Sequence, residues 1–268
     1  MLIIKKLKDL RYLSWDKARE SSGTAGSYLK SFSYSNGKKV YYKLSFFDDV
    51  KEIFGYESFN EIIASRIMEL LSINHLDYNL LYGDIIINEK EYKTYLNYSY
   101  DFKKNNETKA SFENFYNFYK VGKEDIISFS KRYEFIKDIY NMIIIDYLIM
   151  NRDRHGANIE VLFDKKTKGF RLAPLFDHGL SLLSPNYLDD DIINFDTHIN
   201  RKVNSYIGTS DLKLNLNLVP KEYLPSGELD FEYIFKDLDD ILPKIYIEKC
   251  TEIIKERWNY IESLSNKK

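Results

Sequence analysis

The chain has one cysteine in 268 residues, Cys250. No internal disulfide can form, and a reduced, cytoplasmic setting is the expectation that follows. Cys250 falls in a predicted helix, Tyr246–Leu264, where it reads as a small buried apolar residue. Long hydrophobic runs are missing as well. The longest, Met142–Met150, is interrupted by Asp146 and is far too short to span a bilayer, so no membrane span is expected. Lys5, Lys6 and Lys8 stand among apolar residues near the start, but no long apolar core or small-residue cleavage site follows, and no signal peptide is read there. Net charge is also small: 39 Lys and Arg against 41 Asp and Glu leave −2. This excludes a whole-molecule field that attracts nucleic acid, and no direct nucleic-acid binding is expected.

What is present is ordinary for a globular protein, with 44% hydrophobic and 30% charged residues. The length allows one large domain or a two-lobed one with an ample core. Aromatic content is high at 16%, and most of it is tyrosine. Few Ala and Gly beside many Lys, Ile, Asn and Tyr suggest an AT-rich coding composition, so the tyrosines carry little functional weight.

In the first hundred residues, Leu2–Trp15 begins with a strand-like pattern. The small, hydroxyl-rich stretch Ser21-Ser22-Gly23-Thr24-Ala25-Gly26-Ser27 follows. Tyr28–Tyr34 and Lys39–Leu44 then read as two strands joined at Ser35-Asn36-Gly37, since Asn-Gly between β-prone runs is a hairpin signal. Lys43 lies near the end of the second strand. A loop containing Gly23 and Gly26 could lay backbone N–H groups over phosphates, with Lys43 reaching their oxygens. Phe59–Leu71 is an amphipathic helix with Phe59, Ile63, Ile67 and Leu70 as its buried stripe. Glu57 and Glu61 lie one turn apart near its start. Both suit the helix dipole there, and one of them could pair with Lys43. Tyr78–Ile87 and Glu91–Tyr98 form two more strands around Asn88-Glu89-Lys90. The polar stretch Asp101–Ala110 marks a lobe boundary.

Beyond it, Phe112–Tyr119 and Lys123–Ser130 read as short helices. Tyr133–Met150 is the strongest helix of the chain, with Phe135, Ile136, Ile139, Tyr140, Ile143 and Tyr147 on one broad face. It runs into Asn151-Arg152-Asp153-Arg154-His155-Gly156-Ala157-Asn158. Strands Ile159–Phe163 and Phe170–Leu175 flank the turn Lys165–Gly169, and Asp177-His178-Gly179 follows. Acids and an amide thus stand at the mouth of one hairpin. Phosphoryl transfer needs such a set: one carboxylate to accept the proton of the attacking hydroxyl, and an amide oxygen plus a second carboxylate to hold magnesium against ATP phosphates. Capping and local turn bonds explain Asp or Asn singly. They do not demand Asp-x4-Asn, then a hairpin, then Asp-x-Gly.

Asn-Arg-Asp-Arg-His-Gly-Ala-Asn with Leu-Ala-Pro-Leu-Phe-Asp-His-Gly resembles the HipA-like serine/threonine kinases, a branch of the protein-kinase-like fold. A DRHxxN element followed by Asp-x-Gly also occurs in phosphoinositide-kinase-like enzymes; the Pro-Leu-Phe-Asp context and the chain length favour the HipA-like branch. The specific motifs cover Asn151–Ser181. The resemblance implies an α+β, two-lobed fold: residues 1–100 as a small, mostly antiparallel β lobe with one main helix, and residues 101–268 as a larger, mainly helical lobe. It implies Asp153 as catalytic aspartate, Asn158 and Asp177 as magnesium ligands, Lys43 as the ATP-phosphate lysine and Glu61 as its helix partner. Periodicity by itself puts Glu57 nearer the apolar stripe. Ser22, Gly23, Thr24, Gly26, Ser27, Leu96 and Tyr98 complete the implied ATP-binding set. His155 orients the loop and is not assigned as a base.

Such kinases autophosphorylate a serine of the glycine-containing loop, which makes Ser21, Ser22, Thr24 and Ser27 candidates. The implied activity is ATP- and magnesium-dependent transfer to Ser or Thr of a protein. The implied partners are that substrate and a HipB-like antitoxin. Full-length HipA toxins carry an additional N-terminal subdomain for which this chain leaves little or no room, so the antitoxin interface does not carry over directly. Two alternatives stand beside this: a nucleotide-binding pseudokinase acting through a partner, and a small-molecule or lipid kinase of the DRHxxN class. In Ser184–Lys268, Asp189-Asp190-Asp191 reads as a solvated loop. His198, Arg201 and Lys202 could meet an acceptor's phosphate or acidic flank, although surface placement is the plainer reading. Asp211–Pro220 reads as irregular, and Glu232–Leu242 and Tyr246–Leu264 as terminal helices.

Overall fold

The computed structural model describes residues 1–15 and 28–265. The loop Ser21–Ser27, with its glycines and candidate phosphorylation sites, lies outside the described residues.

The N-terminal region is a five-stranded sheet in the order β1-β6-β7-β3-β2. Its members are β1 (Ile3–Asp9), β2 (Lys30–Ser35), β3 (Lys38–Lys43), β6 (Asn79–Ile87) and β7 (Lys90–Tyr100). Only β1 and β6 run parallel; the other pairings are antiparallel. Both long hairpins turn on two residues of positive φ: Asn36 and Gly37 at 50° and 77°, Asn88 and Glu89 at 50° and 67°. This is the type I′ geometry whose twist matches that of the flanking strands. A minor hairpin, β4 (Phe47–Asp48) with β5 (Ile53–Phe54), is held by the stacked rings of Phe47 and Phe54, 4.7 Å apart.

Helix α1 (Glu57–Leu70) crosses behind the sheet. Every residue from Glu57 to Met68 is buried, because the C-terminal region closes over the face that a one-sided stripe would leave to water. Leu70, expected in the stripe, is 37% exposed. Polar residues on the closed face meet partners across the chain. Arg66 donates to the carbonyls of Ile234 and Lys236 at 2.9 and 2.7 Å, and Tyr246 Oη donates to Asn60 Oδ1 at 2.6 Å.

The C-terminal region carries more helix. Strand β8 (Glu107–Ser111) leads to α2 (Phe112–Tyr119), α3 (Ile126–Arg132) and α4 (Ile136–Leu148). Then come β9 (Asp153–Arg154), β10 (Glu160–Asp164), β11 (Phe170–Leu172), α5 (Asp189–Ile193), β12 (Asn204–Ser205), α6 (Leu212–Leu216), α7 (Phe231–Phe235) and α8 (Lys244–Ser265). Strands β8, β10 and β11 form a small antiparallel sheet. So the polar stretch 101–110, expected as a connector, supplies an edge strand through residues 107–110.

Three further expectations change. Asp189–Asp191 open a short helix rather than a loop. Asp211 caps α6 by accepting from Lys213 N and Leu214 N, so this part of 211–220 is ordered helix. The helix expected over 232–242 is only five residues long and ends before Lys236; Asp237 then has φ 61°. The main core joins α1, α4 and α8, while Leu10, Leu13, Leu44, Leu81, Ile85, Ile87 and Leu96 form a smaller one in the N-terminal region.

Candidate active site

The end of β3, the middle of α1 and the loop after β11 meet at three side chains. Lys43 Nζ donates to Glu61 Oε1 at 3.0 Å and also to Asp177 Oδ1. Glu61 is fully buried, and Lys43 nearly so. The second oxygen of Glu61 accepts the backbone N–H of His178 at 2.8 Å, so the same carboxylate holds the lysine and the loop. Glu57 is committed elsewhere: it accepts Phe46 N at 3.0 Å and Ser184 Oγ at 2.8 Å.

Charge balance keeps this cluster ionised. Burial alone would push the Asp177 carboxyl up, but Lys43, Lys30 and Arg154 together hold it below the ordinary aspartate range. Glu61 is likewise lowered against burial, chiefly by Lys43. The lysine is raised in turn, since Asp177 and Glu61 outweigh its desolvation. Asp177 has φ 62°, a left-handed conformation that aspartate tolerates at some cost. Two bonds pin the backbone there: Asp177 N donates to Tyr78 Oη at 3.2 Å, and His178 N donates to Glu61.

The hairpin mouth is built from α4. That helix ends with Met150 at φ 54°, Met150 N donating to Tyr147 O and Asn151 N donating to Asp146 O, a Schellman closure made without glycine. Asp146, which interrupts the apolar run, is buried and faces Arg154. Arg154 Nε donates to Asp146 Oδ2 at 3.0 Å and Nη2 to Oδ1 at 2.8 Å. Its remaining nitrogen, Nη1, donates to the carbonyls of Asn158 and Phe176 at 3.1 and 2.8 Å. One buried guanidinium therefore ties the segment 153–158 to the segment leading into Asp177. Asp153 Oδ1 accepts Asn204 Nδ2 at 2.9 Å across the parallel pair β9–β12. Asn158 Nδ2 donates to Asp153 O at 2.9 Å, which leaves Oδ1 as the outward atom of that amide. His155 caps the turn by accepting Ala157 N at 3.2 Å, and its Nε2 lies 3.7 Å from Asp153 Oδ2. Gly156 permits a close approach: a Cβ there would stand 2.7 Å from Glu113 Cβ.

A cavity of about 170 Å³ opens beside Lys43 and Asp177, walled by Leu76, Tyr78, Phe102 and Phe176 with Lys30, Asn97 and Ser99. Leu96 and Tyr98, taken as nucleotide-binding, do not line it. Leu96 is fully buried in the smaller core, and Tyr98 packs against that core and against Tyr42. Strand alternation explains the placement: a shift of one residue along β7 moves every side chain to the other face. Lys30 has no sequence signal of its own. It enters the cavity because β2 pairs with β3 in the register Lys30↔Lys43. Of the downstream candidates, His198 lies 2.7 Å from Glu256, Lys202 is exposed, and Arg201 lies over the Phe195 ring.

Residues 50–200 match the family model described as phosphatidylinositol 3- and 4-kinase, more than half of the chain and the whole of the segment from α1 to beyond Asp177. The chain belongs to the phosphatidylinositol 3- and 4-kinase family. Among solved structures it is similar to the Helicobacter pylori proinflammatory kinase CtkA at 18% identity, over 97% of each chain, with a TM-score of 0.60. It is also similar to HipA of Shewanella oneidensis MR-1, solved with HipB and operator DNA, at 15% identity over 93% of this chain and 60% of that one, with a TM-score of 0.41. No curated protein matches. The fold is thus an α+β, kinase-like one, and this family membership makes the chain a kinase-like phosphotransferase. The resemblance read from the sequence holds at the coarser level of the kinase-like fold and the matched family. No described helix is long and apolar enough to cross a membrane.

Proposed function

We propose that the chain transfers the γ-phosphoryl group of ATP, with magnesium, to Ser or Thr of a protein. The observation that supports this best is the junction of Lys43, Glu61 and Asp177, tied through Arg154 to the segment that carries Asp153 and Asn158. In this reading residues 1–100 and 101–268 are two lobes with the nucleotide between them. Lys43, positioned by Glu61, holds the phosphates. Asp153, fixed through Asn204, accepts the proton of the attacking hydroxyl. Asn158 Oδ1 and Asp177 are the residues that would hold magnesium. The donor set fits: one amide oxygen and one carboxylate are hard oxygen donors, and magnesium takes one or two of these from protein while keeping waters and phosphate oxygens. When bound, the ion neutralises phosphate charge as it develops. Asp177 would hold that ion in place of its bond to Lys43, and the lysine would then face the phosphates.

A protein acceptor accords with the near-zero net charge, since an anionic lipid surface attracts clustered cations. The family match favours a second reading, a lipid hydroxyl as acceptor. Incubating the full chain with magnesium and γ-labelled ATP, against mixed Ser/Thr peptides in one arm and phosphatidylinositol vesicles in the other, separates them. Label on peptides, absent with Asp153→Asn, is expected. Label on lipid alone overturns the protein acceptor. Mass spectrometry of the same samples reads autophosphorylation within Ser21–Ser27; phosphate present equally on the variant would exclude an autocatalytic origin.

A further inference from the structure

The cavity lined by Lys43 also contains a carboxylate that the proposed transfer does not use. Glu160 opens β10 two residues after Asn158 and lines the cavity, at 5% exposure. Its Oε1 receives Lys109 Nζ at 3.1 Å. Its Oε2 is buried and accepts no hydrogen bond. The two side chains meet diagonally across the β8–β10 ladder, where Glu160 pairs with Ser111 and Lys109 with Leu162. A buried acceptor without a donor is costly, and its persistence in a cavity points to a ligand that supplies one.

The surroundings say what kind of donor. The rings of Phe102 and Phe176 lie nearly parallel with centroids 5.9 Å apart, and both line the cavity together with Leu76 and Tyr78. Apolar and aromatic walls with one polar anchor suit a flat heterocycle whose edge carries N–H groups. Lys43 and Asp177 line the same cavity, so a base lodged here leaves its phosphates on their side.

We infer that Glu160 is the base-reading residue of the cleft, its free Oε2 accepting an N–H of the adenine amine while Lys109 holds the carboxylate in place. The inference rests on the nucleotide reading above and extends it to nucleotide selectivity. In a strand otherwise read as apolar, this glutamate would make base choice depend on a charged acceptor rather than on backbone groups alone.

Calorimetric titration of the full chain with Mg-ATP, Mg-purine riboside triphosphate, which lacks the amine, and Mg-2′-deoxy-ATP tests this. A hydrogen bond to a charged group predicts wild-type preference for ATP over the purine riboside by about tenfold or more. Glu160→Met should bind the two alike, at an affinity near that of the wild type for the purine riboside. Glu160→Gln, which keeps an acceptor, should retain part of the preference and serves if the methionine variant does not fold. ATP binding without that preference, or a preference unchanged in both variants, overturns the inference and leaves the nucleotide reading standing. Discrimination against 2′-deoxy-ATP alone assigns Oε2 to the ribose and overturns the base assignment. Absence of binding by any of the three overturns the nucleotide reading, and this inference with it.

Discussion

Glu57 and Glu61 stand one helical turn apart on α1, yet only Glu61 reaches Lys43, at 3.0 Å, while Glu57 bonds Phe46 N and Ser184 Oγ. Glu61→Gln should therefore lower phosphoryl transfer roughly 100-fold, the scale on which a preorganised charged group acts. Glu57→Gln should cost about 1–2 kcal/mol of stability through a weakened buried hydrogen bond, with transfer close to that of the wild type. Initial rates and urea midpoints of both variants check this. The reverse pattern would exchange their roles.

Lys43 is the only cation within hydrogen-bonding distance of both Glu61 and Asp177 among the described residues. Lys43→Met strands two acids in a shielded site and should destabilise the chain by about 3 kcal/mol. Adding Glu61→Gln should return part of that loss, because the two sites are in contact and their effects do not add. Denaturation of both single variants and the double variant gives the coupling; strict additivity would refute it.

Asp153 is held by Asn204 and shares no hydrogen bond with Lys43, Glu61 or Asp177, so its removal should separate chemistry from binding. Asp153→Asn is expected to lower transfer by about 10²–10⁴-fold, with nucleotide affinity and stability little changed. Chelating magnesium with EDTA should abolish transfer in the wild type and restore on re-addition. Rates and calorimetric affinities measured on one preparation decide both points.

Arg154 forms its ion pair with Asp146 and spends its last nitrogen on two carbonyls of the site. Asp146→Asn leaves that buried guanidinium without its ion-pair partner and should cost about 3–5 kcal/mol. Replacing both, Asp146→Asn with Arg154→Met, should recover stability without recovering transfer, because the tie between Asn158 and Phe176 is still lost. Recovery of transfer in the double variant would show the tie to be dispensable.

His178 is fully buried, with neither ring nitrogen hydrogen-bonded, and burial holds its pKa below the ordinary histidine value despite Glu61. Below pH about 6.5 the unfolded chain takes up a proton that the folded chain refuses. The folded-state pKa is the lower one, so this contribution to stability is present above that pH and is lost as pH falls. Urea midpoints between about pH 5.5 and 7.5 should fall toward acid, and less steeply in His178→Gln. Parallel profiles would remove His178 as the cause.

Much of the local structure was legible because it is a matter of near neighbours. Alternating β-prone runs around Asn36-Gly37 and Asn88-Glu89 specify their hairpins through turn geometry, and the apolar periods of α1 and α4 specify helices. Helix ends were less legible: Met150 and Ser72 adopt the left-handed turn that glycine usually marks, and α7 stops after five residues with no proline to announce it. The linear spacing of Asp153, Asn158 and Asp177 pointed to one site because a single hairpin joins them. It could not tell Glu57 from Glu61, since both lie on the same side of α1 and the choice depends on how the loop 177–184 crosses the helix. Nor could it tell Leu96 and Tyr98 from Asn97 and Ser99, because register in a five-stranded sheet is a property of its neighbours. Glu160 and Lys30 stayed silent for the same reason. The sequence by itself determined the elements and the chemistry gathered at one hairpin, since those depend on residues close in the chain. Only the tertiary structure decided which lysine, which glutamate and which face of β7 meet in the cleft, because burial and pairing between residues far apart in sequence set those contacts.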